Sequence, residues 1–303
     1  MKAALLGALA LLPATAGAWD PAGHMLVDQI AWDHASERAR ERAFELVQHL
    51  DHRFNEGRQY NFITAGCWMD DMRGLGRSYE WAKLHYVTIP WTPTGEPAPI
   101  PEPPHIVSSL ADSTALLRDP TAPFDRRVEA LGMLLHYYGD LHQPLHATDR
   151  NNDRGGNAVL IAGVDFSDLK TKRGHNLHTF WDKAFRFTAR EGRIVELWSA
   201  PALHERPTAP GEGLVALEAK KIVLAHPRAT FPELKTPADG AAIAQETHRV
   251  GCQSAYPPGA APAPGEVLTL TPEFVQAAHE IATRRIALAG YRLAAALDAI
   301  FNH

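Results

Sequence analysis

His136-Tyr137-Tyr138-Gly139-Asp140-Leu141-His142-Gln143-Pro144-Leu145-His146, answered downstream by His178-Thr179-Phe180-Trp181-Asp182, carries the reading of this chain. Each stretch holds a histidine with an aspartate four residues later. At about 3.6 residues per helical turn, positions i and i+4 share a face, so imidazole and carboxylate converge on one point. That mixed nitrogen and oxygen donor set suits zinc and its neighbours in the first transition row. One such pair is a weak signal, because a lone histidine on an amphipathic helix is usually a satisfied core or surface residue. Two pairs, with more histidines and aspartates upstream, point to a cluster that holds more than one metal ion.

Helical periodicity extends outward from these stretches. Ser36-Glu37-Arg38-Ala39 reads as a helix start, with Phe44, Val47 and Leu50 following at helical spacing. Residues 105–118 and 123–143 continue the pattern, and Val128, Leu131, Leu134 and Leu135 mark a core face. A long amphipathic stretch covers Phe274 to His303. Proline-rich connections at Pro90 to Pro104 and Pro257 to Pro264 are expected to be irregular. The one convincing strand signal is Asn157 to Phe166, where an apolar run leads into a glycine-containing turn. The candidate ligands run from residue 19 to residue 182, on both sides of the first proline stretch. A single, mainly α domain over residues 19–303 is therefore expected.

The first eighteen residues read as a secretory signal peptide: Lys2, an apolar run from Ala3 to Leu12, and a small-residue cleavage site at Ala16-Gly17-Ala18. The run falls short of the roughly 20 residues that span a bilayer. Cleavage after Ala18 would leave an exported chain beginning at Trp19, either periplasmic or extracellular. Apolar content of 45% and charged content of 21% are ordinary for a globular protein. The net charge of −5, one unit lower once Lys2 is removed, argues against a large basic surface for duplex nucleic acid. An anionic substrate stays open, because bound divalent cations reverse the local sign. In an exported chain Cys67 and Cys252 could form one disulfide, a pairing that spacing leaves open.

In order, the candidates are Trp19, His24, Asp70, His85, His136, Asp140, His146, His178 and Asp182. With their surroundings, Trp19-Asp-Pro-Ala-Gly-His24, Trp68-Met-Asp70, Leu84-His85-Tyr86, Gly155-Gly156-Asn157 and the two stretches quoted above, they resemble the zinc-dependent S1/P1 nuclease family. The resemblance implies the helical fold shared with zinc phospholipase C, with a short β-hairpin, and three Zn2+ ions. One zinc would be held by the free α-amine and carbonyl of Trp19 with His24 and Asp140, which requires prior removal of the signal peptide. A second would take Asp70, His85, His136 and Asp140, and a third His146, His178 and Asp182. Paired divalent ions lower the pKa of a shared water. Helix geometry agrees with the division: His146 lies about 120° around an ideal helix from Asp140, and Pro144 turns the helix end away. His142 and His175 read as structural. Asp70 is preferred to Asp71 on the Trp-x-Asp register.

The resemblance further implies hydrolysis of phosphodiesters in single-stranded DNA and RNA to nucleoside 5′-phosphates, together with 3′-nucleotidase activity. Asp70 and Asp140 would serve catalysis as metal ligands. Arg73, one turn after Asp70, would stabilise charge on the phosphorane. Tyr86 would stack a base and Asn157 would lie near the phosphate. Two departures leave base preference open: Thr88 stands where a carboxylate or amide is common, and Arg154 stands where an apolar side chain could close the base pocket. Arg150 or Arg154 could instead bind a neighbouring phosphate. The related alternative is a zinc phospholipase C, disfavoured by Asp182, where those enzymes tend to carry glutamate, and by the Gly-Gly-Asn turn. The unrelated one is a non-catalytic exported zinc-binding protein. The purified mature chain is expected to begin at Trp19 and to carry three equivalents of zinc. Intact-mass and elemental analysis would check this, and a metal-free chain would sink it.

Overall fold

Asp20 opens the first helix, α1 (Pro21–His34), by accepting a hydrogen bond from Gly23 N, while Pro21 occupies the first turn, where no N–H bond is lost. The computed structural model describes residues 19–53, 55, 57–72, 81–169, 175–198, 205–260 and 266–302. The expected signal peptide and Arg73 lie outside the described residues. Ser36 caps α2 (Glu37–Val47), as its place in the sequence predicts. Short helices α3 (Phe62–Ala65) and α4 (Trp68–Asp71) follow, then α5 (Ile106–Arg118) and α6 (Phe124–Asp140). The set continues with α7 (Leu177–Asp182), α8 (Gly213–Ala225), α9 (Gly240–Ser254) and the 30-residue α10 (Pro272–Phe301).

The fold is mainly α. Ala22 to Ala31 of α1 are buried without a break, because α3, α6, α8 and α10 all pack around that helix. A helix covered on every side needs no polar stripe. Among the described residues no helix is long and apolar enough to cross a membrane. The proline stretch from Pro90 holds no regular helix, yet its approach is tied down. Val87 N, Trp91 N and Asp149 N bond to His146 O, Asp149 O and Ile89 O, at 2.8, 2.9 and 3.0 Å. This ladder lays residues 87–91 beside residues 146–149. Helix α6 stops at Asp140, four residues before Pro144, which begins a 3-10 turn through Ala147.

The strand signal at residues 157–166 resolves into a three-residue strand, β1 (Leu160–Ala162). The hairpin lies elsewhere, in β2 (Phe187–Arg190) and β3 (Arg193–Glu196). β1 pairs in parallel with β4 (Val267–Thr269), placing Ile161 opposite Leu268. The residues flanking β1 hold the start of α7: Leu177 N bonds to Val159 O and Ile161 N to His175 O. The disulfide expectation is overturned. Cys67 and Cys252 are both free and buried, each against its own neighbours. Cys67 Sγ donates to Pro21 O at 3.5 Å, and Cys252 Sγ accepts from Thr92 N at 3.4 Å.

Behind α6, a buried polar network joins three helices. Glu246 of α9 accepts from Arg285 and Arg292 of α10. Arg285 Nε also donates to His142 O, and Arg292 Nη1 lies 2.9 Å from His142 Nε2. Thr247 Oγ1 donates to Leu141 O at 2.6 Å. His142 is therefore a structural residue clamped just past the end of α6. Burial alone would raise the Glu246 carboxyl, but its bonds to Arg292 and the charge of Arg285 hold it down at about 2, from an ordinary 4.5. A depressed carboxylate stabilises the fold above its unfolded pKa, and that contribution is lost as pH falls from about 4.5 toward 2. Glu246→Gln is expected to destabilise the protein by roughly 3 kcal/mol at neutral pH, since it strands two buried guanidiniums. Denaturant titrations at pH 7 and pH 2.5 would check this, the gap between variant and wild type closing at the lower pH.

Candidate metal centre

Helix α6 delivers His136 and Asp140 one turn apart, both fully buried. Asp140 is the hub. Its Oδ2 lies 3.0 Å from His85 Nδ1 and 3.0 Å from His136 Nε2, and its Oδ1 lies 3.4 Å from His24 Nε2 and 3.8 Å from His146 Nδ1. Among the described residues, three sets of side chains bring donor atoms within 4.8 Å of one another: His24, His136 and Asp140; Asp70, His85 and His136; and His146, His178 and Asp182. Every interior position singled out as a metal ligand falls in one of them, and His136 belongs to two.

Backbone carbonyls fix the rings. His136 Nδ1 donates to Gly66 O at 2.7 Å, His146 Nδ1 to His85 O at 2.8 Å, and His178 Nδ1 to Gly155 O at 2.6 Å. Each bond sets the tautomer and turns Nε2 toward its group, the usual outer-shell arrangement for metal-binding histidines. Gly155 sits in a loop where Asn151, Asn152, Arg154, Gly155 and Gly156 all have positive φ. A Cβ on Gly155 would come within 2.6 Å of Leu145 O, so the carbonyl that orients His178 depends on a glycine. Gln143 Nε2 donates to Asp182 Oδ1 at 2.7 Å and fixes that carboxylate.

The donor geometry fits first-row cations. A tetrahedral ion with ligands at about 2.0–2.1 Å separates its donors by about 3.3 Å. Here His85 Nδ1 lies 2.9 Å from His136 Nε2 and 3.9 Å from Asp70 Oδ1, and the donors of each group stay within 4.8 Å of one another. His24 has both ring nitrogens buried without a hydrogen bond, as is Asp140 Oδ1. Such atoms are costly in a protein interior unless a ligand satisfies them. Burial lowers His24, and it brings His85 down to about 4 against the pull of Asp140. Burial opposes ionisation of Asp140, yet the charges of His136 and His146 hold its carboxyl well below the usual range. His24 and His85 are thus held neutral beside an ionised carboxylate, the state that binds metal, whereas the burial of His136 is overcome by the charges of Asp140 and Asp70, which raise it, so it must release a proton as a cation enters.

The remaining candidates fall around these groups. Asp70 faces His85 and His136, whereas Asp71 accepts from Arg206 Nη1 and Nη2 at 2.6 and 2.7 Å and from Tyr60 Oη at 2.8 Å. Trp19 is buried, its Nε1 donates to Gly139 O at 2.8 Å, and the neighbouring Asp20 N donates to Asp182 O at 3.0 Å. Tyr86 is half-buried directly beside His85. Asn157 Nδ2 donates to Arg154 O at 2.9 Å, while the residue Arg154 itself is exposed. Arg150 is stacked between the rings of Trp91 and Tyr256, 4.8 and 4.9 Å from their centroids. Asp28 is a supporting residue that pattern reading missed: its Oδ2 accepts from Gly66 N at 2.8 Å, while Gly66 O holds His136. The signal was present, since His24 and Asp28 repeat the i, i+4 spacing.

A helical fold with this cluster of histidines and aspartates is what a family of metal-dependent hydrolases uses, and the comparisons agree. The model of the S1/P1 Nuclease family matches residues 19–302. Endonuclease 2 of Arabidopsis thaliana is 25% identical over 304 residues, covering 94% of this chain and 91% of that protein. Nuclease P1 of Penicillium citrinum is 25% identical over 170 residues, 54% of this chain and 57% of that protein. The chain belongs to the S1/P1 nuclease family, which makes it a nuclease-type hydrolase acting on nucleic acid.

Gly139, between the two α6 ligands, lets His24 and Trp19 approach the helix, since a Cβ there would meet His24 Nδ1 at 2.6 Å. Gly139→Ala is expected to displace His24 and cost about 1–3 kcal/mol of stability through overpacking. Metal content should fall by one equivalent while the group of His146, His178 and Asp182 keeps its own. Elemental analysis beside a thermal melt would check this, and unchanged metal content would refute it.

Proposed function

We propose that the chain, once residues 1–18 are removed, is an exported zinc enzyme that hydrolyses single-stranded DNA and RNA to nucleoside 5′-phosphates and cleaves 3′-nucleotides. The observation that carries the reading is the set of three histidine–aspartate groups assembled around Asp140 in a chain of this family. Three zinc ions would be held by His24 and Asp140 with the α-amine and carbonyl of Trp19; by Asp70, His85, His136 and Asp140; and by His146, His178 and Asp182. When bound, such ions supply an activated water at neutral pH and neutralise charge on phosphate oxygens.

The chain's own residues do the positioning. Asp140 stands between the first two groups with one oxygen toward each, so it fixes their spacing. The carbonyls of Gly66, His85 and Gly155 hold the imidazoles so that no side-chain reorganisation is needed when substrate arrives. Tyr86, on the residue after a ligand, would stack an unpaired base; a duplex would have to unstack first, which favours single strands. Asn157 and Arg154, on the loop that orients His178, would contact phosphate, and Arg73 would stabilise the charge that develops at phosphorus. Arg150 is committed to its two aromatic rings, which leaves Arg154 as the loop cation for a neighbouring phosphate.

Purified protein incubated with single-stranded DNA, a 3′-nucleotide and phosphatidylcholine, with and without chelator, tests the reading. Turnover is expected on the first two, abolished by chelation, with none on the lipid. Asp140→Asn should lower turnover at least about a hundredfold. Chelator-resistant turnover, or turnover confined to phosphatidylcholine, would overturn the assignment.

A further inference from the structure

A cleft of about 690 Å3 lies against the face of α6 opposite the metal groups. Tyr138, part of its wall, sits about 160–200° around the helix from His136 and Asp140. The volume falls within the range of small-molecule sites, roughly 300–1,000 Å3. Ala115 on α5 and Ala296 and Ala299 on α10 give the cleft apolar lining. The other features are cationic: Arg118, Arg228 and Arg292 all line the cleft.

The charges there do not cancel. Two carboxylates also line the cleft, and both are already engaged. Glu233 is paired with Arg284 at 2.8 Å, and Asp239 caps α9 by accepting from Ala242 N. Arg292 shares Glu246 with Arg285, so that buried network keeps one guanidinium in excess. Arg118 and Arg228 have no carboxylate partner among the described residues, and both are exposed. Tyr138 is nine-tenths buried, and its hydroxyl has no hydrogen-bond partner among the described residues. Burial pushes its phenol up to about 12, with the charges of Arg292 and Arg118 pulling the other way.

We infer that this cleft is a second binding site, for a small organic phosphate whose charged head meets Arg118, Arg228 and the Tyr138 hydroxyl and whose apolar body lies on the lining alanines. A phosphate dianion offers three acceptor oxygens, enough for two unpaired guanidiniums and a phenol at once, whereas a carboxylate offers two. The alanines leave room for a ring or a short chain without adding polar groups that a purely ionic ligand would need. The inference stands apart from the nuclease reading, since the cleft and the metal groups lie on opposite faces of α6.

Calorimetric titration of the metal-loaded protein with decyl phosphate and with adenosine 5′-phosphate tests it. Wild type is expected to show a binding event that Arg118→Ala/Arg228→Ala weakens by about tenfold or more, the loss of charge-assisted bonds. Ala296→Trp, which fills the cleft from α10, should remove the same event. Hydrolysis of single-stranded DNA and the thermal melt should stay at wild-type values in the arginine variant. Tighter binding of decyl phosphate would identify a lipid-derived ligand, and tighter binding of adenosine 5′-phosphate a nucleotide; either supports the site. Equal affinities in wild type and both variants, or no event sensitive to them, would overturn it. An enzyme inactive on DNA would leave the titration readable and would count only against the nuclease reading.

Discussion

A single carboxylate, that of Asp140, is the constraint on which the rest of the site depends. It is fully buried and lies within 3.0 to 3.8 Å of four imidazoles drawn from α1, the 3-10 turn at His85, α6 and the turn at His146. A naked carboxylate in such a place would be costly, and the cationic or polarised nitrogens around it are what allow it to stay ionised. Because it accepts from several directions, no neighbouring element can shift without disturbing another. Its helix is correspondingly immobilised from both sides: the imidazoles in front, and Glu246, Arg285, Arg292 and Thr247 behind.

The supporting shell follows a common logic. Three of the histidines spend one ring nitrogen on a main-chain carbonyl, and each carbonyl belongs to a segment pinned by something else. Gly66 is held by Asp28, His85 by the ladder between residues 87–91 and 146–149, and Gly155 by its left-handed loop. Outer contacts of this kind matter to metal affinity by factors of about 10 to 100.

Much of this was legible in the sequence because its signals are local. The i, i+4 pairs, the Ser36 cap and the core face of α6 depend on residues within a turn or two of each other, and helices form where they predict. The Trp-x-Asp register chose Asp70 over Asp71, and Asp70 is the one that faces the histidines. What failed was non-local or short. Whether Cys67 meets Cys252 depends on packing across the whole chain, and each instead found its own backbone neighbour. The hairpin at residues 187–196 has strands of four residues, too few for alternation to stand out, and the strand at Leu160 draws its partner from more than a hundred residues away. Arg206, which engages Asp71, is separated from it by 135 residues. Asp28 repeats the diagnostic spacing yet bonds an amide, since spacing states that two groups share a face and not what they face.

The attachment of Asp20 has a consequence for how the molecule lasts. Its amide bonds to the carbonyl of Asp182, and its carboxylate to Arg186, which also holds Asp168 and Glu196. The start of the described chain is thus stitched to the end of α7, and the donors of the His24, His136 and Asp140 group come together only when segments more than a hundred residues apart have docked. An unfolded chain presents no such arrangement, so whatever binds there binds the native state more tightly. Survival of the fold then rises with the logarithm of free ligand concentration. A scavenger that competes for cations would act on this protein as a denaturant does.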